Sequence, residues 1–253
     1  YSISEVQLLG PSQNFLIRSY SVEIREYENL VREKITSVIE SIISENGILN
    51  ISAKSRAGAE ISDWLEEAFV IATKNHEFLA NSEAAPKGKT KNPWDARCFF
   101  NFNNHKEEIW IDFKAFKLSG NDSNPDIGTP YKIIKFIEEG GFYLLYIHVF
   151  YEEYKEGLKF ISSDNKMVKS YFLKDISSTF RRTPTNQLQV NISAIPTYRT
   201  RNEFIILLME KLREGLERQL EKAQLKLSEI NETTQSLKNK NSESEKIIEE
   251  NIL

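Results

Sequence analysis

A nearly unbroken apolar run from Phe142 to Tyr151 limits the possible folds of this chain more than any other segment. A strand without a polar face has to be covered on both sides, which is typical of the centre of a sheet between helices. Amphipathic helices and further strands are predicted around this run. The sequence therefore indicates an α/β fold with a mixed central sheet flanked by helices. With 253 residues, of which 40% are hydrophobic, the chain can fill one large core.

Four helices are predicted from apolar residues at three- and four-residue steps. The first runs from about Ser21 to Glu45, the second from Ala57 to about Lys74, and a short third from Pro130 to Glu139. The fourth is long and begins near Arg201. We therefore expect a core over residues 1–200 and a separate helical unit, with coiled-coil character, over residues 201–253.

The strongest strand predictions other than the apolar run are two aromatic, β-branched segments. They span Trp94 to Phe102 and Glu107 to Lys117, and the turn residues Asn103-Asn104-His105 between them predict a hairpin. A loop from Ala84 to Pro93 precedes them. Weaker strands are predicted near residues 168–173 and 188–192.

Seven residues of the long helix recur in alternating steps of four and three, which is the spacing of a coiled-coil seam. They are Leu216, Leu220, Ala223, Leu227, Ile230, Thr234 and Leu237. Two interpretations stay open. The helix either packs on its own domain with a solvated outer face, or forms one half of an inter-subunit or intra-chain helical pair.

The segment Trp110-Ile111-Asp112-Phe113-Lys114 is the best candidate for chemistry. Side chains two apart in a strand share a face, so Asp112 and Lys114 point together while Ile111 and Phe113 fill the other side. Asp95 lies on the preceding arm of the predicted hairpin, which brings its carboxylate close to Asp112.

Two converging carboxylates and a lysine are sufficient to support phosphodiester hydrolysis. The carboxylates of Asp95 and Asp112 are hard oxygen ligands for Mg²⁺, which activates a water molecule and stabilises phosphoryl charge. Lys114 can stabilise the added negative charge of the transition state. A surface ion pair between Asp112 and Lys114 is the alternative for this common spacing. Pro125-Asp126 with Glu153-Tyr154-Lys155 is a second candidate pattern, but Glu153 is expected at a solvated strand end.

Composition restricts the other possibilities. The single cysteine, Cys98, excludes an internal disulfide and a thiolate zinc cluster, and the three histidines show no ligand spacing. No segment is long enough to cross a membrane and no signal peptide is recognisable, so we expect a soluble cytoplasmic protein. The net charge is −4, yet the segments 86–117 and 175–201 each carry an excess of three positive charges, which favours a basic cleft.

Asp95 together with Asp112-Phe113-Lys114 resembles the PD-(D/E)xK nuclease superfamily, with Trp94-Asp95 replacing Pro-Asp. The similarity to the SwaI group of type II restriction endonucleases is closer and runs from about Glu26 to about Leu220. It is carried by RAGAEISD at 56–63, KTKNPWDARC at 89–98, EIWIDFKAFK at 108–117, DSNPDIGTP at 122–130 and PTYRTR at 196–201.

The resemblance implies a restriction-endonuclease-like core and a homodimeric, Mg²⁺-dependent bacterial enzyme. Its substrate would be double-stranded DNA with an AT-rich palindromic octanucleotide, cut to blunt ends, and a cognate DNA methyltransferase would belong to the same system. The metal site would include Asp95, Asp112 and the main-chain carbonyl of Phe113, with Glu60 on a helix nearby. An ordinary solvated first-turn acid is the alternative for Glu60.

Polar and basic residues around the site are the candidates for DNA contacts. The loop from Ser119 to Thr129 is expected to read bases, although its residues can equally cap the following helix. The arginines between residues 181 and 201 are expected to contact the backbone or to remain on the solvated surface. The candidates are Lys87, Lys89, Lys91, Lys117, Asn121, Asn124, Asp126, Arg199 and Arg201, with Arg181 and Arg182 as further basic residues.

Two other functions agree with the same residues. A structure-selective or repair nuclease of the same superfamily would cut without a discrete band pattern. A non-catalytic DNA-binding or coiled-coil protein, in which Asp112 and Lys114 merely pair, would show no Mg²⁺-dependent nicking.

Overall fold

A computed structural model describes most of the chain. The described residues are 11–51, 57–86, 94–102, 105–118, 126–155, 157–183, 187–191 and 193–252. Side chains are described within these ranges except at residues 11–22, 105, 126 and 242–252. The predicted loop at 84–93 and the predicted turn at 103–105 therefore lie largely outside the described residues.

The elements alternate between strands and helices along the chain. The helices are α1 (Pro11–Glu45), α2 (Ala57–Thr73), α3 (Pro130–Glu138) and α4 (Arg201–Ile252), with a 3-10 turn at Leu173–Asp175. The strands are β1 (Ile48–Leu49), β2 (Leu79–Ala84), β3 (Ala96–Phe102), β4 (His105–Lys117), β5 (Asp126–Gly128), β6 (Tyr143–Tyr154), β7 (Gly157–Ile161), β8 (Val168–Phe172), β9 (Arg181–Arg182) and β10 (Leu188–Gln189).

The predicted central strand is β6, and it lies in the middle of a seven-stranded sheet. The strand order is β1-β7-β6-β4-β3-β2, and β8 also pairs with β6. Only β4 and β6 pair in parallel, whereas the other neighbours in this sheet are antiparallel. Residues 143–151 of β6 are all buried. The α/β fold with a mixed central sheet is therefore confirmed.

The hairpin prediction is also confirmed. β3 pairs antiparallel with β4 from Ala96 opposite Ile111 to Phe102 opposite His105. The sequence did not predict β2, which lies outside β3 at the sheet edge, because its residues Leu-Ala-Asn-Ser-Glu-Ala are mostly polar and have low strand propensity. β7 was missed as well, because it directly follows the charged residues that were interpreted as a solvated strand end.

Helices α1 and α2 cover one face of the sheet. Both bury residues at three- and four-residue steps, as amphipathic helices do. The buried residues are Ile35, Ile39 and Ile43 in α1, and Ile61, Leu65 and Phe69 in α2. α1 begins at Pro11, ten residues before the predicted start. Pro11 suits a first helical turn because proline there loses no hydrogen bond.

The opposite face carries α3 and a small three-stranded sheet of order β5-β10-β9. Trp110 of β4 stacks on Phe136 of α3, with ring centroids 3.5 Å apart. The hydroxyl of Tyr146 in β6 donates to the main-chain carbonyl of Ile127 in β5. These contacts place α3 and the small sheet on the face of β4 and β6 that carries Trp110 and Tyr146.

Helix α4 leaves the core after its first turns. Phe204, Leu208 and Leu212 are buried against the domain, whereas residues 216–241 are all exposed. The first turns of the helix thus pack on its own domain, whereas the predicted seam residues from Leu216 onward are exposed. None of the helices in the described ranges is apolar enough over a sufficient length to span a bilayer.

Candidate active site

Asp112 and Lys114 lie side by side on one face of β4, as their spacing predicts. Their side chains form an ion pair, with Nζ of Lys114 2.7 Å from Oδ1 of Asp112. Ile111 and Phe113 are buried on the opposite face, against the helices. Phe113 contacts the ring of Phe69 in α2 at a centroid distance of 6.3 Å. The apolar residues thus fix the strand and turn the acid and the lysine towards the other face.

Asp95 is directed to the same stretch of β4. It precedes β3 by one residue, so it lies in a bend and not, as expected, in the strand itself. Its main-chain N–H donates to the carbonyl of Ile111 at 2.9 Å, which continues the ladder by one bond. Its side-chain Oδ2 accepts a hydrogen bond from the main-chain N–H of Phe113 at 2.7 Å. The Asp95 carboxylate thereby accepts the hydrogen bond that a main-chain carbonyl of a neighbouring strand would otherwise accept from Phe113.

Helix α2 packs against the edge of β4 that Asp95 also contacts. The hydroxyl of Ser62 lies 3.1 Å from the main-chain carbonyl oxygens of both Phe113 and Gly58, so its one proton is shared between these two acceptors. Gly58 lies so close to the sheet that an added Cβ would come within 3.2 Å of the carbonyl oxygen of Ala115. Within the described ranges, the carbonyl expected to bind a metal thus has a hydrogen-bond donor in Ser62. A carbonyl oxygen has two lone pairs, so it can still coordinate a cation.

The two carboxylates are poorly solvated. Burial raises the pKa of Asp112 to about 7, Lys114 opposes this shift, and the charge of Asp95 adds to it. Burial also raises the pKa of Asp95, although Lys114 and the N–H of Phe113 lower it. Such shifts show that negative charge is costly at this position unless a cation compensates it.

The donor atoms suit a hard divalent cation. Oδ1 of Asp112 is shielded from solvent and accepts no hydrogen bond of good geometry from the described residues, although the Lys114 ammonium is close. Carboxylate and carbonyl oxygens are the ligands that Mg²⁺ prefers. No group of three acidic, histidine or cysteine side chains positioned to bind a metal occurs in the described part of the chain. Asp95, Asp112 and the Phe113 carbonyl thus fit a site that also uses water and substrate as ligands.

The sequence interpretation missed Glu66. Burial raises its pKa to about 8, and the charges of Asp95, Asp63 and other nearby acids add to the shift. Glu66 therefore lies on the side of α2 that approaches the site. The predicted helical acid, Glu60, is exposed on the first turn of α2. Glu66 follows Ser62 by one helical turn, and the contact of Ser62 with Phe113 shows that this side of α2 faces β4.

His148 is a second residue that the sequence did not single out for the site. It lies directly opposite Lys114 in the parallel register of β4 and β6. Its ring packs edge-on against Phe116 and Tyr171. Burial, together with the positive charges of Lys114 and Lys169, lowers its pKa to about 3. The imidazole is therefore neutral at physiological pH.

Most of the predicted DNA-contacting residues lie outside the described ranges. This group comprises Lys87, Lys89, Lys91, Asn121 and Asn124. Asp126 begins β5, where its backbone pairs with Gln189 of β10. The predicted loop therefore ends in a short strand on the catalytic face of the sheet.

Three further candidates have partners within the protein. Lys117 forms an ion pair with Glu153. Arg199 donates from its guanidinium to three main-chain carbonyls, and Arg201 lies 3.3 Å from a carboxylate oxygen of Glu107. Contacts of these three side chains with DNA would require them to exchange partners. Glu153 itself is half exposed at the end of β6, as expected for a solvated strand end.

The comparisons with known proteins identify the family. The family model described as SwaI-like, SwaI restriction endonuclease, matches residues 23–230, which is most of the chain. The chain belongs to the SwaI-like restriction endonuclease family. The family match includes Asp95, Asp112 and Lys114 and extends beyond the similarity expected at residues 26–220.

One solved structure, NlaIV restriction endonuclease, is similar to this member of the SwaI-like family with 13% identity and a TM-score of 0.40. The similarity covers 64% of this chain and 66% of that chain. No curated protein matches the sequence. The part of α4 after Ile230 lies outside the SwaI-like match.

Proposed function

We propose that this protein is a type II restriction endonuclease that hydrolyses both strands of double-stranded DNA. Its site would be an AT-rich palindromic octanucleotide, and its products would have blunt ends. Family membership supports the activity, and the resemblance of the site segments to the SwaI group supports the substrate. The observation that carries the proposal is the pairing of Asp112 with Lys114 on β4, next to the carboxylate of Asp95.

Asp95, Asp112 and the main-chain carbonyl of Phe113 are the groups that would hold Mg²⁺. The bound ion would lower the pKa of a water molecule and neutralise charge on the phosphoryl oxygens. Other residues of the chain orient these ligands. The N–H of Phe113 orients Asp95, and the hydroxyl of Ser62 orients the Phe113 carbonyl. These two hydrogen bonds hold the site rigid on a buried strand.

Lys114 supplies the positive charge that the reaction needs. Its ammonium is close to Asp112 and only partly exposed. A lysine at this position can bind a phosphoryl oxygen and stabilise the extra negative charge of a pentacoordinate transition state. The neighbouring helix would contribute one further acid, for which Glu60 and Glu66 are the candidates. The coupling of Glu66 with Asp95 favours Glu66.

A palindromic site matches a two-fold symmetric protein, because each subunit then reads one half-site and cuts one strand. We therefore propose a homodimer. Phosphate and base contacts would come from Lys87, Lys89, Lys91, Lys117, Asn121, Asn124, Asp126, Arg199 and Arg201. A cognate methyltransferase would protect the host DNA, and the enzyme would act in a bacterial cytoplasm.

Digestion of an unmodified AT-rich bacterial genome with and without Mg²⁺ tests the proposal directly, because an octanucleotide site is rare and a phage genome can lack it. We expect discrete fragments in Mg²⁺ and none in EDTA, and sequencing of the fragment ends gives the recognition site and the cut position. A smear of fragments would indicate a nuclease without sequence specificity. Intact DNA under all divalent cations would exclude a nuclease function.

A further inference from the structure

Residues 216–241 of α4 carry an apolar stripe that nothing in the described structure covers. Residues 216–241 are exposed without interruption, although the guanidinium of Arg218 still donates to the main-chain carbonyl of Arg182. At 1.5 Å per residue this segment is about 39 Å long. An isolated helix of this kind gains no stability from tertiary packing, so its apolar residues would be exposed to water at a cost.

The positions of these apolar residues are not random. Six large apolar side chains in the segment are exposed, and five of them fall on the seam positions of one heptad repeat. The five are Leu216, Leu220, Leu227, Ile230 and Leu237, with exposures of 50 to 60%. The sixth, Leu225, lies on the opposite side of the helix. A stripe this narrow is typical of a two-helix seam and not of a helix packed on a sheet.

We propose that residues 216–241 pair with the same segment of a second copy of this chain in a parallel, two-stranded coiled coil. Residues 220, 227, 234 and 241 would occupy the a positions, and residues 216, 223, 230 and 237 the d positions. The choice of a parallel pair rests on the proposed function, because a parallel pair places both catalytic domains at the same end, next to one DNA duplex.

The polar seam residue Asn241 favours the parallel arrangement. In a parallel pair it faces its own copy, so the two amides can hydrogen-bond with each other, and such an Asn at position a specifies register and dimer formation. In the antiparallel pair that best aligns the seam, Asn241 would face Leu216. A buried amide would then lose its partner, which is unfavourable.

The residues that flank the seam are compatible with self-association. In parallel register, Gln219 faces Gln224, and Lys226 faces Asn231 of the other copy, so no like charges meet. The antiparallel arrangement would bring Glu217 close to Lys238, which is favourable. It would also place the two domains at opposite ends of a helix pair about 39 Å long. The requirement to cut both strands of one site therefore decides for the parallel pair.

Disulfide cross-linking tests the interface without relying on nuclease activity. The only native cysteine, Cys98, is fully buried, so a cysteine placed on α4 is the reactive one. We expect Leu237→Cys and Leu220→Cys each to form a covalent dimer under mild oxidation. Leu225→Cys, on the other side of the helix, is the matched control and should remain uncrosslinked. If the single variants fail to cross-link but a mixture of the two does, the helices are antiparallel and the proposal is wrong.

Light scattering tests the stoichiometry. The unmodified protein should have twice the chain mass of 29.3 kDa. Leu227→Glu should reduce the mass to that of one chain, whereas Leu225→Glu should leave a dimer. A monomeric or tetrameric unmodified protein would overturn the proposal. Loss of cleavage in all variants with intact cross-linking would instead count against the proposed nuclease function alone.

Discussion

The main-chain N–H of Phe113 donates a hydrogen bond of 2.7 Å to the carboxylate of Asp95. This bond forms just before β3 begins, beside a part of β4 that has no partner in β3, so a side chain replaces the main-chain pairing that a strand would otherwise provide. As a result, Asp95 is held next to Asp112, the residue before Phe113. Two acids that are 17 positions apart in the sequence thereby share one poorly solvated site.

Removal of the site lysine should abolish cleavage without loss of DNA binding. Lys114→Ala removes the ammonium next to Asp112, and we expect the cleavage rate to fall by about 10²–10³-fold because charge stabilisation in the transition state is lost. Asp112→Ala should be at least as severe. Single-turnover cleavage in Mg²⁺ and gel-shift binding in Ca²⁺ measure the two effects. Lys135→Ala, an exposed residue of α3, is the control and should cleave normally.

The two acids of α2 should differ in their effect on cleavage. Glu66 is coupled to Asp95, whereas Glu60 is exposed. We expect Glu66→Gln to reduce the cleavage rate by about 10- to 100-fold, as the loss of a group supporting a metal site does. Glu60→Gln should have little effect. The reverse result, a defect in the Glu60 variant only, would assign the supporting role to the first turn of the helix.

The contribution of His148 to stability should decrease in acid, although the raised pKa values of Asp112 and Glu66 act in the opposite direction. The pKa of His148 is lowered to about 3 in the folded protein by burial and by two lysines. The unfolded chain has an ordinary histidine pKa of about 6.5, so it binds the proton first as the pH falls. The stabilising effect is complete above pH 6.5 and is lost towards pH 3. Between pH 7 and pH 5 the loss is about 2 kcal/mol.

Urea unfolding at both pH values measures this effect. His148→Phe keeps an aromatic ring between Phe116 and Tyr171 and cannot be protonated. We expect the change in the free energy of unfolding from pH 7 to pH 5 to be about 2 kcal/mol more favourable in the variant than in the unmodified protein, because both keep the other titrating groups. An equal change in both proteins would show that His148 does not contribute to the pH dependence.

A buried ion pair should contribute strongly to stability. Lys174 is 2% exposed, and its Nζ lies 2.8 Å from a carboxylate oxygen of Glu28 in α1. Burial raises the pKa of Glu28, and the lysine opposes this shift. Lys174→Met would leave the carboxylate buried without its cation, which typically costs about 3–5 kcal/mol.

Thermal or urea unfolding of Lys174→Met measures that loss at neutral pH. The exposed pair of Lys135 with Glu139 provides the control, because Lys135→Met should change the stability by less than about 1 kcal/mol. The double variant Glu28→Gln with Lys174→Met should recover part of the loss. An unchanged midpoint for Lys174→Met would contradict the assigned role of the pair.

The local elements followed from the sequence where a segment has a strong apolar pattern. The bounds of β6 and α2 were predicted within a few residues. β6 is buried on both faces and is therefore a continuous apolar run, whereas α2 is buried on one face and has apolar residues at three- and four-residue steps. The same logic placed Asp112 and Lys114 on one face of β4. The edge strand β2 has no such pattern, and it forms because β3 offers a free edge for main-chain pairing.

The sequence by itself determined the α/β plan, the strand that carries Asp112 and Lys114, and the family to which the chain belongs. Only the tertiary structure decided that Asp95 bonds to Phe113 from a bend, that Glu66 is the acid of α2 coupled to the site, and that His148 lies next to Lys114. Periodicity reports which side of one element is buried. It does not report which other element covers that side, because such contacts join residues that are far apart in the chain.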